Sequence, residues 1–147
     1  MYSIELGKTP YVKTAANLFR QILYGNKDAL LAGIIIAGWD PYEGAQVFSL
    51  PLGGSCTRVP YAIGGSGSGF IYGYCDANWK EKMTFEEART FAINGKQFFC
   101  FLSLTFSLAI SLAMSRDGSS GGCVRLVNIN KDAFKREFVP YNQVPFK

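Results

Sequence analysis

The sequence predicts an α+β fold with an antiparallel sheet, and two observations lead to that class. Strand-like and helix-like segments occur in separate runs along the chain, and strictly alternating strand–helix units are not found. The 147 residues are 48% hydrophobic and 18% charged, which is typical of a folded protein and enough for one domain with a core. We therefore expect segregated helices and hairpins.

The first predicted helix begins at Thr9-Pro10, a capping hydroxyl followed by proline at the first helical position. Gly25-Asn26 is a typical helix end. Between these signals, apolar residues recur at spacings of three and four: Val12, Ala16, Phe19, Ile22 and Leu23. This periodicity predicts a helix with one apolar face.

The next segment reads as strands joined by tight turns. Leu30–Trp39 has the pattern of a buried strand, and the turn Asp40–Gly44 follows it directly. Gln46–Leu52 is predicted to be its hairpin partner. Arg58–Ile63 is predicted to be a further short strand that runs into the glycine-rich segment Gly64–Gly69.

The second half begins with helices and ends with strands. Phe70–Tyr74 is predicted to start a helix, and a second helix through Phe91 begins at a capping box. In this box the Thr84 hydroxyl accepts from the amide three residues on, and Glu87 reaches back. The last two predicted strands are Cys123–Ile129 and Phe134–Val139.

Composition excludes several kinds of chemistry. The chain has no histidine, which excludes Ser–His and Cys–His catalysis. The four cysteines, Cys56, Cys75, Cys100 and Cys123, lack C-x-x-C spacing, so we expect no metal site and interpret them as buried free thiols. The net charge of +4 is spread along the chain rather than clustered, so we expect no nucleic-acid partner.

The most informative motif is Arg116–Gly122, which places one acid and two serines on a glycine-rich backbone. Asp117 and Ser120 could together accept from an ammonium and donate to a hydroxyl. From the residues alone, Asp117 could equally pair with Arg116 or cap a turn. Ser66, in the other glycine-rich segment, could simply bond its own backbone as a turn residue.

Several blocks in order closely resemble a proteasome beta subunit, of the caspase-like (beta type 1) class that cleaves after acidic residues. The blocks are Ala37–Asp40, Tyr61–Ser68, Phe70–Tyr74 and Arg116–Gly122. The resemblance implies a four-layer αββα sandwich of the N-terminal-nucleophile hydrolase kind. It also implies a threonine-type endopeptidase of ubiquitin-dependent protein degradation that needs no cofactor and works in the cytoplasm and nucleus.

The resemblance further implies partners and site residues. The partners would be other alpha and beta subunits in heptameric rings, with unfolded polypeptide as the substrate. In this family the mature N-terminal threonine attacks the peptide carbonyl and its own α-amine serves as base. By resemblance, Ser66, Asp117 and Ser120 orient that nucleophile and its amine.

Relative to the family pattern, the chain is expected to be a single partial domain, 1–147, without the first strands and the first helix. The threonine nucleophile would then be absent from it, and the chain as given would be inactive. Thr9 and Thr14 cannot substitute, because both lie at or inside the first predicted helix and neither carries a free amine.

Residues 95–108 interrupt the family pattern, which runs from Asn94 directly to Ala109. Their Phe/Leu/Ser-rich composition suggests an aberrant insertion, a translated intron, since its removal restores an unbroken amphipathic helix from Phe85 to Met114. The alternative is a membrane span over Phe98–Met114, but this uncharged segment is shorter than the about 20 residues that a span needs. We therefore expect no membrane partner.

Two other functions stay open at this point. The chain could be a non-catalytic structural subunit of the beta ring. It could also be a small-molecule binding domain that uses Gly64–Gly69 as a phosphate cradle, although this segment lacks the lysine of a P-loop.

Overall fold

A computed structural model describes residues 9–93, 109–132 and 134–144. The helices and strands, in chain order, are α1 (Val12–Gly25), β1 (Ile34–Asp40), β2 (Gly44–Leu50), β3 (Thr57–Arg58), α2 (Tyr72–Asn78), α3 (Phe85–Ile93), α4 (Ala109–Arg116), β4 (Val124–Ile129) and β5 (Phe134–Val139). Short 3₁₀ helices cover Ser66–Phe70 and Tyr141–Gln143. The predicted α+β class is confirmed, and the predicted insertion at 95–108 lies outside the described residues.

The chain divides into two compact units. The first contains the described residues up to Gly64 together with Ile129–Phe134, and the second contains Gly65–Asn128 and the residues from Lys135 onward. Strands β4 and β5 form a two-stranded sheet.

The first unit is an antiparallel sheet of order β1-β2-β3 with α1 packed against it. The pairing of β1 with β2 runs from Ile34 opposite Leu50 to Asp40 opposite Gly44, which confirms the predicted hairpin. The first strand begins at Ile34 rather than Leu30, and its predicted burial was wrong, since exposed and partly buried positions alternate along it. The third predicted strand is present, but its bounds were wrong: it covers Thr57–Arg58 rather than Arg58–Ile63, and the last hydrogen bond to β2 runs from the amide of Val59 to the carbonyl of Val47 at 3.0 Å. Pro60 has no amide hydrogen to donate, so the ladder cannot continue through it.

The core of this unit lies between α1 and the sheet. Its buried residues are Ala16, Leu23, Phe48 and Leu50, two from the helix and two from β2. Helical spacing places Ala16 and Leu23 on the same face of α1, and strand alternation places Phe48 and Leu50 on the same face of β2. The apolar face predicted for the first helix therefore packs on the hairpin, although Phe19 and Ile22 remain exposed.

The start of α1 differs from the sequence prediction. The N-cap residue is Tyr11 rather than Thr9, and its side chain makes no capping hydrogen bond. Instead the amide of Val12 donates to Oδ2 of Asp40 at 3.0 Å. The acceptor lies 28 residues away in the chain, so local capping rules could not identify it. The predicted helix end is confirmed, because the amide of Asn26 donates to the carbonyl of Ile22.

Asp40 is the buried polar centre of the first unit, with none of its surface exposed. Besides Val12, its carboxylate accepts from the amides of Tyr42 (3.0 Å) and Glu43 (2.8 Å) and from Nε2 of Gln46 (2.6 Å). The Glu43 amide is the largest of the effects that lower the pKa of Asp40, and burial opposes them. The carboxylate thus joins the start of α1 to the β1–β2 turn.

The second unit contains α2, α3 and α4, most of the β4–β5 hairpin, and a core of Val124, Val139 and Val144. The predicted capping box starts α3: the amide of Thr84 donates to Oε2 of Glu87 at 2.8 Å, and the Glu87 amide donates back to Oγ1 at 3.3 Å. Nε of Arg89 donates to both carboxylate oxygens of Glu137, at 2.9 and 2.8 Å. This ion pair fastens α3 to β5.

The cysteine prediction is confirmed in part. Cys56, Cys75 and Cys123 are free thiols; Cys75 is fully buried as expected, Cys56 is half-buried, and Cys100 lies outside the described residues. Cys123 is exposed, so its predicted burial was wrong. It directly precedes the buried Val124, and successive side chains of an extended segment point to opposite faces.

Candidate functional site

Three residues predicted from the sequence come together around one carboxylate in the second unit. The hydroxyl of Ser66 donates to Oδ2 of Asp117 at 2.6 Å, and the hydroxyl of Ser120 donates to the same oxygen at 2.6 Å. Ser66 and Asp117 are 51 residues apart in the chain. The two glycine-rich segments therefore form a single cluster, which we call the Asp117 cluster: Ser66, Asp117 and Ser120.

Asp117 is held by the end of α4. Its amide donates to the carbonyl of Ala113 at 2.8 Å, which completes the last helical turn. Its carbonyl accepts from the Ser120 amide at 3.0 Å, and Oδ1 accepts from the Ser119 amide at 3.2 Å. The helix end and the turn thus fix the backbone and both carboxylate oxygens.

Of the two alternatives for Asp117, the pairing with Arg116 is not observed, whereas the capping of a turn is, since Oδ1 accepts from the Ser119 amide two residues on. The described residues form ion pairs between Arg58 and Glu43 and between Arg89 and Glu137, and neither includes Asp117. The carboxylate of Asp117 takes its hydrogen bonds from serine hydroxyls and a backbone amide instead.

These hydrogen bonds favour the ionised form of Asp117. The Ser120 hydroxyl lowers the pKa of Asp117 most, the Ser66 hydroxyl and the Ser119 amide lower it further, and partial burial opposes them. A carboxylate with a lowered pKa is ionised at neutral pH and is a weak general base. Each serine oxygen that donates here keeps lone pairs free to accept, so the cluster suits an ammonium or another donor.

Gly67 explains why the two segments can approach so closely. It is buried in the 3₁₀ helix, and a Cβ at this position would lie 2.8 Å from Cβ of Ala113 and 2.9 Å from Oγ of Ser120. Only a residue without a side chain fits at this distance. The sequence analysis missed this role of Gly67 and Ala113, because it depends on a contact between distant segments.

Thr9 and Thr14, which the sequence analysis excluded as replacements for the threonine nucleophile, lie in the first unit. Thr14 lies inside α1 in the first unit, and its amide donates to the carbonyl of Tyr11 at 3.1 Å. Thr9 precedes the helix and belongs to the same unit. Neither belongs to the Asp117 cluster, and both amides lie within the chain.

Within residues 9–93, 109–132 and 134–144, no group of histidine, cysteine, aspartate or glutamate side chains is arranged to hold a metal ion. The helices in these ranges are too short or too polar for any of them to cross a membrane. The alternative span over Phe98–Met114 lies largely outside the described residues.

Comparison with known proteins gives the family. A sequence model of the family described as "Proteasome subunit" matches residues 1–95. Over 145 residues the chain is 47% identical to "Proteasome subunit beta type-6" of Dictyostelium discoideum and 45% identical to "Proteasome subunit beta type-9" of Homo sapiens. Over 138 residues it is 51% identical to "Probable proteasome subunit beta type-1" of Schizosaccharomyces pombe.

These alignments cover 99%, 99% and 94% of this chain, and 61%, 59% and 55% of the respective relatives. The chain therefore spans a little more than half the length of the curated relatives it matches. The family model and the beta-type names of these relatives agree with the resemblance of the glycine-rich blocks. The chain belongs to the proteasome subunit family and, within it, to the beta subunits.

Proposed function

We propose that the protein is a beta subunit of the proteasome core particle and that the Asp117 cluster orients a threonine nucleophile for peptide hydrolysis. The observation that carries the proposal is the convergence of the Ser66 and Ser120 hydroxyls on one oxygen of Asp117, at 2.6 Å each. The Asp117 cluster offers several hydrogen-bond acceptors but no nucleophile paired with a base. It therefore fits the role of orienting a nucleophile that another residue supplies.

The chemistry follows from that role. The threonine hydroxyl attacks the peptide carbonyl while the threonine α-amine accepts the hydroxyl proton, and the amine of the leaving peptide receives a proton as the ester forms. Water then hydrolyses the ester and restores the hydroxyl. The Asp117 carboxylate stabilises the transient ammonium. The hydroxyl oxygens of Ser66 and Ser120 orient this ammonium by accepting hydrogen bonds from it.

We propose that none of the six threonines among these 147 residues is the nucleophile, because each lies inside the chain and has no free α-amine. We therefore propose the endopeptidase activity for a protein with an N-terminal threonine, and no hydrolysis by this chain alone. A structural role in the ring without catalysis is the outcome expected if the cluster proves indifferent to activity.

The finer family features are part of the same proposal. We propose a caspase-like preference for acidic residues, a four-layer αββα sandwich, and assembly with alpha and beta subunits into heptameric rings in the cytoplasm and nucleus. The relatives are named as beta types 1, 6 and 9, so their names do not point to one cleavage specificity. The proposed preference for acidic residues therefore rests on the resemblance of the sequence blocks.

We also propose that residues 95–108 are an aberrant insertion. Two findings support this: the family model ends at residue 95, and helices flank the segment, with α3 ending at Ile93 and α4 beginning at Ala109. Sequencing of transcripts tests it. A spliced message without these codons is expected, and a message that retains them in every copy would overturn it.

The function is tested on the protein with its N-terminal threonine, by hydrolysis of a fluorogenic peptide with glutamate at the cleaved position. Asp117→Asn is expected to lower kcat by about 100-fold, because loss of the charge misplaces the amine. Ser119→Ala is the matched control, since Ser119 contributes its amide to Asp117 and should keep near-normal activity. Equal activity in both variants, or hydrolysis by the 147-residue chain alone, would refute the proposal.

A further inference from the structure

Two tyrosine rings stack on the surface of the first unit, and neither belongs to the Asp117 cluster. The ring centres of Tyr11 and Tyr42 lie 4.2 Å apart, and the angle between the ring planes is 28°. Tyr11 is 45% exposed and Tyr42 is 53% exposed, so solvent and small solutes reach both residues. The pair therefore combines contact between two phenol rings with access from outside.

The buried carboxylate of Asp40 holds the backbone at both tyrosines. Tyr11 is the N-cap residue of α1, and the amide of the next residue, Val12, donates to Oδ2 of Asp40 at 3.0 Å. The amide of Tyr42 donates to Oδ1 of the same carboxylate, also at 3.0 Å. The stack is therefore part of the fold of the first unit rather than a chance contact between two mobile side chains.

The stack keeps together two phenols that belong to distant parts of the chain. Rings at this separation are in van der Waals contact, since carbon atoms in contact stand about 3.5–4.0 Å apart. Exposed side chains also change position within nanoseconds, so the ring carbons next to the two hydroxyls meet repeatedly. Groups held together in this way have an effective concentration of about 1 mM or more, which exceeds a protein concentration of about 10 µM by about 100-fold.

We propose that Tyr11 and Tyr42 form a modification site at which hydrogen peroxide, acting through a haem peroxidase as one-electron oxidant, joins the two rings as dityrosine. Each phenol gives up one electron and its hydroxyl proton, which leaves two tyrosyl radicals. The unpaired electrons form a bond between the ring carbons next to the hydroxyls, and the protons on those carbons move to the oxygens. One molecule of hydrogen peroxide takes up both electrons and both protons and becomes two molecules of water.

The new bond fastens the start of α1 to the turn between β1 and β2. It closes a loop of about 30 residues, and a cross-link of this kind stabilises a protein mainly by restricting its unfolded chain. We therefore expect the oxidised chain to unfold at a higher urea concentration than the untreated chain. This modification does not depend on the proposed peptidase activity.

The test is treatment of the full 147-residue chain with a haem peroxidase and hydrogen peroxide, followed by trypsin digestion and mass spectrometry. Trypsin releases Tyr11 in the peptide 9–13 and Tyr42 in the peptide 28–58, and neither peptide contains another tyrosine. The expected product is these two peptides joined, with a mass two hydrogen atoms below their sum. It should come from chains that remain monomeric in denaturing gel electrophoresis.

Tyr42→Phe keeps a ring in the stack but has no hydroxyl to oxidise, so it should lower the dityrosine fluorescence of the monomer by about tenfold or more. Tyr24→Phe is the matched control, because Tyr24 is 61% exposed and its ring lies against Nζ of Lys27 rather than a second tyrosine. It should leave this fluorescence nearly unchanged. Equal losses in the two variants, coupling between chains only, or added oxygen on unlinked tyrosines would overturn the proposal.

Discussion

Replacing Gly67 by alanine tests how the Asp117 cluster is built. The added Cβ would lie 2.8 Å from Cβ of Ala113, whereas carbon atoms in contact normally stand about 3.5–4.0 Å apart. The 3₁₀ helix and α4 must then separate by about 1 Å. Overpacking of this kind costs about 1–3 kcal/mol of the free energy of unfolding.

The same methyl group would also displace the hydroxyl of Ser120, which lies 2.9 Å from the Cβ position. The Ser120 hydroxyl is the largest of the effects that lower the pKa of Asp117. We therefore expect the pKa of Asp117 to rise toward its ordinary value in Gly67→Ala. Urea unfolding followed by circular dichroism measures the stability, and ¹³C NMR of the carboxyl group measures the pKa.

Gly69→Ala is the matched control, because Gly69 lies in the same 3₁₀ helix and a Cβ there meets nothing within 4 Å. Alanine at a compatible glycine position reduces the freedom of the unfolded chain, so this variant should be unchanged or more stable by up to about 1 kcal/mol. The reasoning is refuted if both variants unfold at the same urea concentration and the pKa of Asp117 is the same in both.

Three further changes have defined outcomes. Leu50→Ala removes a fully buried side chain and should lower the free energy of unfolding, measured with urea, by about 2–5 kcal/mol. Leu52→Ala is the control, since Leu52 is 64% exposed, and it should lower this free energy by less than about 0.5 kcal/mol. Equal losses in the two variants would contradict the assignment of Leu50 to the core. Ser120→Ala should raise the pKa of Asp117 in a carboxyl NMR titration, and an unchanged value would show that this hydrogen bond is weak in solution. Folding lowers the pKa of Asp40 below its ordinary value of 3.8. The ionised carboxylate therefore stabilises the folded protein fully above pH 3.8, and this stabilisation is lost as the pH falls through the lower pKa of the folded state. Asp40→Asn should therefore flatten the dependence of unfolding free energy on acid pH, and an unaltered slope would count against the network.

The elements that could be predicted were those with local causes. The capping box of Thr84 and Glu87 and the end of α1 at Gly25-Asn26 depend on residues within one helical turn, and both were predicted correctly. The β1–β2 hairpin follows from two apolar runs around a short turn. At the start of α1 the prediction failed because the partner lies far along the chain, where Asp40 replaces the expected cap. The wrong bounds of the third strand have a local cause instead, since Pro60 lies inside the predicted segment.

The sequence by itself determined the α+β class, the family, and the residue types of the candidate site, because periodicity, turn residues and the glycine-rich blocks are local properties of the chain. Only the tertiary structure decided that Ser66 and Ser120 donate to the same oxygen of Asp117, and that Gly67 makes this possible. It also decided that Asp40 is buried and Cys123 exposed. The physical reason is that burial, and hydrogen bonds between distant segments such as the one from Ser66 to Asp117, depend on how the elements pack.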